Sequence, residues 1–247
     1  MLASPQMYLS AIDEDRFGIR TARVAEVTLD SIPSILKFCR DNVVILLIAR
    51  CLSSELGAVR AMEDKGFSLM DTLVYYKRDL LKPPIPSDDG RVLIRPIKAG
   101  EENQVMRVAA ESFRGYFGHY HADERLDRAR CDEVYTSWAY NSCVSRRFAD
   151  HVLVADADGQ IVGFHTMRMI RPEEGEAVLT GISPSFQGQG IYRSFEIHGM
   201  NWCLQNKAKS ILLSTQITNV AVQRVWTRLG FEISHSYYTF HKWFDEY

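Results

Sequence analysis

The sequence has no hydrophobic run long enough to span a bilayer; the longest, Val43 to Ala49, falls far short of the roughly 20 apolar residues such a helix needs. Met1 to Phe17 carries acids and lacks the apolar core of a signal peptide. Charge of one sign is scarce as well. Lys and Arg number 29 against 31 Asp and Glu, a net charge of −2 with no cationic stripe, which argues against a nucleic-acid surface. The five cysteines, Cys39, Cys51, Cys131, Cys143 and Cys203, are scattered and odd in number, without the spacing of a disulfide framework or a zinc site. These absences predict a cytoplasmic protein with reduced thiols, bound to neither membrane nor nucleic acid.

What is present is a globular composition, 46% hydrophobic and 24% charged over 247 residues, long enough for one large domain or two small ones. Residues 81–91 hold Pro83, Pro84 and Pro86 followed by Ser87, Asp88, Asp89 and Gly90, a semi-stiff connector. It predicts one domain over 1–80 and another over 92–247. The second begins with a strand at Val92 to Ile97. A helix over about Glu101 to Phe113 follows, then further helix through Asp123 to Tyr140. His151 to Ala155 and Ile161 to Met169 form a hairpin turned by Asp158-Gly159. A strand, a helix over Ile191 to Leu204, a strand at Ile211 to Thr215 and a helix opening at Asn219 complete an α+β order with a mixed sheet.

Residues Ile182 to Tyr192 read Ile-Ser-Pro-Ser-Phe-Gln-Gly-Gln-Gly-Ile-Tyr, a glycine-bearing turn between a strand-like run and a helix. Amides at a helix N-terminus point outward, the macrodipole adds about half a positive charge there, and glycine lets a bulky anion approach the backbone. The turn is therefore expected to hold phosphate. It matches neither the Gly-x-Gly-x-x-Gly of dinucleotide binding nor the Gly-Lys-Ser/Thr of a P-loop.

The stretch instead resembles the acyl-CoA motif of the GCN5-related N-acetyltransferase (GNAT) superfamily, hydrophobic-x-Pro-x-x-Gln/Arg-x-x-Gly-x-Gly/Ala, on Ile182, Pro184, Gln187 and Gly190. Tyr192 departs from it, standing where the family has Gly or Ala. A second signature, Asn219 followed seven residues later by the aromatic Trp226 and then by Gly230-Phe231, sits in the family's order. The resemblance covers roughly residues 91–247.

The resemblance implies direct transfer from acyl-CoA to an amine, without a metal. Backbone amides of Gln187, Gly188, Gln189, Gly190, Ile191 and Tyr192 would hold the CoA pyrophosphate. The Ile182 N–H would stabilise the developing oxyanion, and Asn219, also a natural helix N-cap, would contact the pantetheine arm. Family members often protonate the leaving sulfur with a Tyr at the position Trp226 fills, so that role is vacant or has moved, and Trp226 is expected to pack in the core or against pantetheine. For the base, Glu176 is the first candidate, six residues before Ile182, with Glu176, Val178, Thr180 and Ile182 on one face by strand alternation. The bland alternative is a solvated turn of Glu173, Glu174 and Glu176. His165 on the preceding strand is the second candidate, or a structural histidine.

Tyr116, Phe117, His119, Tyr120 and His121 lie in an aromatic and histidine-rich run where the family builds its acceptor loop. Such rings can stack on sugars or bases, or pack into the core. Upstream, Ile45-Leu-Leu, a helix ending in Gly66-Phe67 and a strand with Tyr75-Tyr76 echo Ile211-Leu-Leu, Gly230-Phe231 and Tyr237-Tyr238. That echo suggests a degenerate GNAT-like N-terminal half. With Phe17-Gly18 near its start, the chain looks like bacterial N-acyltransferases of dTDP-linked amino-dideoxy sugars, which implies a nucleotide-sugar substrate and a role in surface polysaccharide such as O-antigen. A tandem chain can use its own N-terminal half where single-domain relatives use a second subunit, which favours a monomer over a homodimer. Acetylation of a protein, peptide or other small amine, or a non-catalytic CoA-binding module, stay open.

Overall fold

In the first part of the chain, short amphipathic segments alternate with strands. They are β1 (Met7–Leu9), α1 (Ala11–Phe17), β2 (Thr21–Val24), α2 (Ile32–Asp41), β3 (Leu46–Leu52), α3 (Leu56–Glu63) and β4 (Ser68–Asp79). After the proline-rich stretch come β5 (Leu93–Pro96), α4 (Glu102–Ser112), α5 (His119–Ala122), α6 (Arg128–Val144), β6 (His151–Ala157), β7 (Gln160–Arg171) and β8 (Glu174–Ile182). Then follow α7 (Ile191–Gln205), β9 (Ser210–Gln216), α8 (Val220–Arg228) and β10 (Glu232–Trp243). The structure is a computed structural model describing residues 6–90 and 92–244; Arg91 of the expected linker and the expected domain ends at 1–5 and 245–247 lie outside the described residues. Among the described residues no helix is long and apolar enough to cross a membrane.

Contacts divide the chain into two units, and the division does not follow the linker. The first takes residues up to Val74 together with 117–131 and the chain from His235 on; the second takes Tyr75–Tyr116 and Asp132–Ser234. Two things draw the later segments to the first unit. The C-terminal part of β10 pairs antiparallel with β3, from Tyr237 opposite Leu52 to Trp243 opposite Leu46. In the 117–131 segment, the Tyr120 hydroxyl donates to Asp13 Oδ1 at 2.6 Å, a buried bond to α1.

Within the first unit the strand order is β1-β2-β3-β10, with β2 and β3 parallel. Leu47, Ala49 and Cys51 alternate along β3 and pack with Ile32, Ile35 and Cys39 of α2 and with Ala58 and Met62 of α3. Each large side chain so buried is stabilised by about 1.5–3 kcal/mol.

The second unit carries the order β4-β9-β8-β7-β6-β5, reached by the Tyr75–Asp79 end of β4. Asp158-Gly159 turns the β6–β7 hairpin as expected, both residues at positive φ. Phe195 and Ile191 of α7 pack on Val162, Ile182 and Leu153. The helix expected over Asp123 to Tyr140 begins only at Arg128. The Asp127 carboxylate accepts the Arg130 amide at 2.9 Å, so this aspartate caps the helix rather than sitting inside it. Around Gly66-Phe67 and Gly230-Phe231 the same order recurs, strand, helix, left-handed glycine, buried phenylalanine, strand, with φ of 76° and 82° at the glycines.

Candidate active site

Strands β8 and β9 run parallel, yet they pair only at Glu174–Ser210, Gly175–Ile211 and Glu176–Leu212. Beyond Glu176 the two strands diverge, and β8 continues for six more residues against β7 alone. The Ser183 amide donates to the Val162 carbonyl at 2.8 Å, which makes that a hydrogen-bonded pair. Antiparallel pairs alternate, so the N–H groups of Ile182 and Thr180 point away from β7, toward the side on which β9 has left. The result is a wedge edged by backbone donors.

At the mouth of this wedge stands the glycine turn. Gly188 and Gly190 adopt φ of 75° and 88°, and a Cβ on either would meet nothing within 4 Å, so the space in front of them is open. The Gln187 side chain donates from Nε2 to the Ile182 carbonyl at 3.0 Å and closes the turn. The first rung of α7 runs from the Ser194 amide to the Gly190 carbonyl, 3.1 Å, so the amides of Ile191, Tyr192 and Arg193 precede the ladder. Left-handed glycines, clear space and helix-start amides suit the turn to a bulky anion such as a pyrophosphate.

Glu176 occupies the last rung before the strands part. Its carboxylate takes the Arg168 guanidinium at 2.6 Å, with Glu176 largely covered and Arg168 about half exposed. The expected common face of Glu176, Val178, Thr180 and Ile182 is interrupted. Thr166 is opposite Leu179 and Met167 opposite Ala177, so Val178 is the extra residue of a bulge and the alternation slips there. Nor are the three glutamates one solvated turn. Glu174 is buried and bonded to Lys77, Arg171 and Ser210.

His165 lies wholly inside. Its Nδ1 meets Thr180 Oγ1 at 2.7 Å, its ring stacks on Phe195 with centroids 5.5 Å apart, and its Nε2 has no partner. Nε2 is 2.8 Å from where a Cβ on Gly199 would stand, which is why α7 needs glycine at that point. Burial pushes its pKa down to about 3, and the imidazole is neutral.

Asn219 caps α8, accepting the Val222 amide at 3.5 Å and donating to Thr215 Oγ1 at 3.0 Å. Trp226 is buried, and its indole N–H is shared between Tyr192 Oη at 3.1 Å and Glu196 Oε1 at 3.3 Å. Glu196 is a buried acid among the apolar residues of α7 and is not one of the candidates named from the sequence. The available signal was its position four residues after Tyr192, on the same helical face. The linker was also more than a connector. Asp88 accepts Ser194 Oγ at 2.7 Å and meets His198 Nε2 at 3.2 Å, while Asp89 pairs with Arg193 at 2.6 Å, so residues 87–89 are strapped to the first turns of α7.

The aromatic and histidine run falls on both sides of the unit boundary. Tyr116, in the second unit, packs edge-on against Phe113 and Tyr135. In the first unit Phe117 is 60% exposed, with Arg128 over its ring at 5.6 Å, while His119, Tyr120 and His121 are buried. His119 Nδ1 lies 2.9 Å from His241 Nε2, and His241 Nδ1 lies 2.6 Å from Asp123 Oδ2. The carboxylate accepts from His241 Nδ1–H, and one proton is shared between His241 Nε2 and His119 Nδ1. Burial works to raise the Asp123 carboxyl, but the bonds from His241 and Trp243 outweigh it and hold the pKa below its ordinary 3.8. Burial first, and then the neighbouring His241, drive His119 well below 6.5. Among the described residues no group of three or more His, Cys, Asp or Glu side chains could hold a metal ion.

The sequence profile of the acetyltransferase (GNAT) family matches residues 104–231, which span α4 through Phe231 and so include the wedge, the turn and α8. The chain is 24% identical over 202 residues to the spore coat polysaccharide biosynthesis protein SpsD of Bacillus subtilis (strain 168), covering 80% of this chain and 66% of that protein. It is 25% identical over 179 residues to a mycothiol acetyltransferase of Mycobacterium sp. (strain JLS), covering 68% and 55%. The chain thus spans less than two thirds of the length of either relative. The crystal structure of a GCN5-related N-acetyltransferase from Sphaerobacter thermophilus has the same fold, with a TM-score of 0.64, 16% identity, and coverage of 90% of this chain and 73% of that one.

Proposed function

The chain belongs to the acetyltransferase (GNAT) family, and from that premise we propose that this enzyme moves an acyl group from acyl-CoA to the amino group of a dTDP-linked amino-dideoxy sugar used for surface polysaccharide. The observation that supports acyl transfer best is the wedge: β8 and β9 part beyond Glu176–Leu212, and the open glycine turn stands at its mouth. In this reading the amides from Gln187 to Tyr192 hold the pyrophosphate and the arm passes between the strands beside Asn219 and Trp226. The Ile182 N–H, turned toward the divergent side, stabilises the tetrahedral oxyanion. Glu176 takes the amine proton; His165, neutral and buried, is the second candidate for that role.

The sugar half of the proposal draws on the relative named for spore coat polysaccharide biosynthesis and on Tyr116, Phe117, His119, Tyr120 and His121 as the acceptor-binding segment, whose exposed ring, Phe117, is suited to stacking on a sugar or base. The relatives named mycothiol acetyltransferase favour a second reading, in which the acceptor is a different small amine. The recurring strand, helix, Gly-Phe, strand order supports the proposal that the N-terminal part is a degenerate second GNAT-like unit, serving within a monomer.

A turnover screen pairing acetyl-CoA and longer acyl-CoAs with amino-sugar nucleotides tests this. Thiol release dependent on a dTDP-amino sugar is the expected result. Release with another small amine and none with any sugar nucleotide overturns the substrate; no release with any amine overturns the transfer.

A further inference from the structure

Arg168 of β7 spends a single nitrogen on protein. Its Nε donates to Glu176 Oε2 at 2.6 Å, and among the described residues Nη1 and Nη2 have no acceptor. Arg95, by contrast, gives Nε, Nη1 and Nη2 to Asp156, Pro96 and Glu101 and is largely covered. The Arg168 side chain is 42% exposed, against 14% for Glu176, so the guanidinium is anchored along one edge and solvated at its outer end.

The strand fixes the direction of this side chain. His165 stacks on Phe195 of α7, and Met167 Sδ stands 3.1 Å from where a Cβ on Gly199 of α7 would be. Side chains alternate across a strand, so Arg168 points to the opposite face of the sheet. On that face Gly181 of β8 meets α4, its Cβ position 2.5 Å from Ser112 Oγ, and just beyond α4 the rings of Phe113 and Tyr116 pack with Tyr135. Arg168 and Glu176 are cross-strand partners, and Glu176 also holds the last rung before β8 leaves β9. The outer end of the guanidinium thus stands beside the parting of the strands and next to the carboxylate that the reading above gives to the acceptor amine.

The planar end of a guanidinium matches two oxygens of a carboxylate or phosphate, and charge-assisted pairs of that kind are both stronger and more directional than neutral ones. A long side chain free at its head loses rotamer freedom when it binds; the Glu176 bond has already removed much of that freedom here. We propose that Arg168 recognises the acceptor, its outward fork binding an oxyanion, phosphate or carboxylate, carried by the same molecule as the reacting amine, while Nε stays on Glu176. The proposal rests on the acyl-transfer reading above and deepens it by defining the acceptor as an acidic amine. The diphosphate of an amino-sugar nucleotide satisfies that requirement, and a neutral amino sugar does not.

The test compares kcat/KM for a dTDP-linked amino sugar, an aminouronic acid and a neutral amino sugar in wild type, Arg168→Gln and Arg168→Lys. Arg168→Gln also releases Glu176, a cost that falls on all three acceptors alike, so the quantity followed is the ratio of each acidic acceptor to the neutral one. In Arg168→Gln that ratio is expected to fall roughly tenfold to a hundredfold, through KM. Arg168→Lys, which keeps the charge and loses the fork, should fall less. A fall confined to the nucleotide sugar identifies a phosphate and one confined to the aminouronic acid a carboxylate; ratios within twofold of wild type for both overturn the inference. Where no acceptor is turned over, inorganic pyrophosphate titrated into protein saturated with acetyl-CoA decides. Saturable uptake weakened at least tenfold in Arg168→Gln is expected, and equal uptake, or none, contradicts the role. Wild-type protein that takes up no acetyl-CoA overturns the acyl-transfer reading and this inference with it, whereas uptake and transfer with unchanged ratios overturn this inference alone.

Discussion

Glu176 of β8 and Leu212 of β9 are the last residues to face each other across the ladder between those strands. Everything past that rung on β8 is backbone without a parallel neighbour, and the Ile182 amide lies in that stretch.

Gly190 makes the first prediction. Its φ of 88° is strained for any L-residue, and the space before it is open rather than filled by protein. Gly190→Arg should therefore leave the fold in place, at a backbone cost of about 1–3 kcal/mol, while blocking the anion site. Calorimetric affinity for CoA is expected to drop at least tenfold with the far-ultraviolet circular dichroism unchanged.

Glu176→Gln separates the chemical role of this residue from its ion pair. Arg168 is about half exposed, so losing the pair should cost no more than about 1 kcal/mol of stability. If Glu176 accepts the amine proton, kcat should fall by a factor of roughly 10² to 10⁴ with little change in KM. A fall of less than threefold would remove it from the chemistry.

Glu196 links the site to stability. Its folded pKa, about 7, stands above its ordinary 4.5, so the stabilising contribution is full below pH 4.5 and is lost as pH rises to about 7. Over that window the penalty is on the order of 3 kcal/mol. Urea unfolding of Glu196→Gln should be the less pH-dependent of the two between pH 5 and 8, and parallel curves would show that the carboxyl carries no buried proton.

His165 acts in the opposite direction. With a folded pKa near 3 against 6.5 ordinarily, it is held neutral while the unfolded chain takes up a proton below 6.5. Stability should fall between pH 7 and pH 5, and His165→Asn should shrink that fall by about 2 kcal/mol. Buried His119 adds a loss of the same sign.

How far these features were legible depends on whether their cause is local. The Asp158-Gly159 turn, the Asn219 cap and the left-handed glycines at 188 and 190 each follow from residues within one turn of themselves, and each stands where the sequence places it. The Val178 bulge carries no mark in the local alternation, because it is made by the register of β7 against β8. The assignment of 117–131 and the end of β10 to the first unit depends on Asp13 meeting Tyr120 and on β3 meeting β10, partners more than a hundred residues apart. Asp88 and Asp89 read as linker residues in the sequence because their partners, Arg193, Ser194 and His198, lie more than a hundred positions away. Glu196 was hidden by its own surroundings, an acid inside an apolar arc whose partners, Tyr192 and Trp226, come from the turn and from the next helix.

In the proposed function, the amides around Gly188 and Gly190 and the parting of β8 from β9 form a CoA site. Isothermal titration of acetyl-CoA into the folded protein tests it most directly. Saturable uptake of one molecule per chain, lost in Gly190→Arg, is the predicted result; a flat titration with well-folded wild-type protein would contradict it.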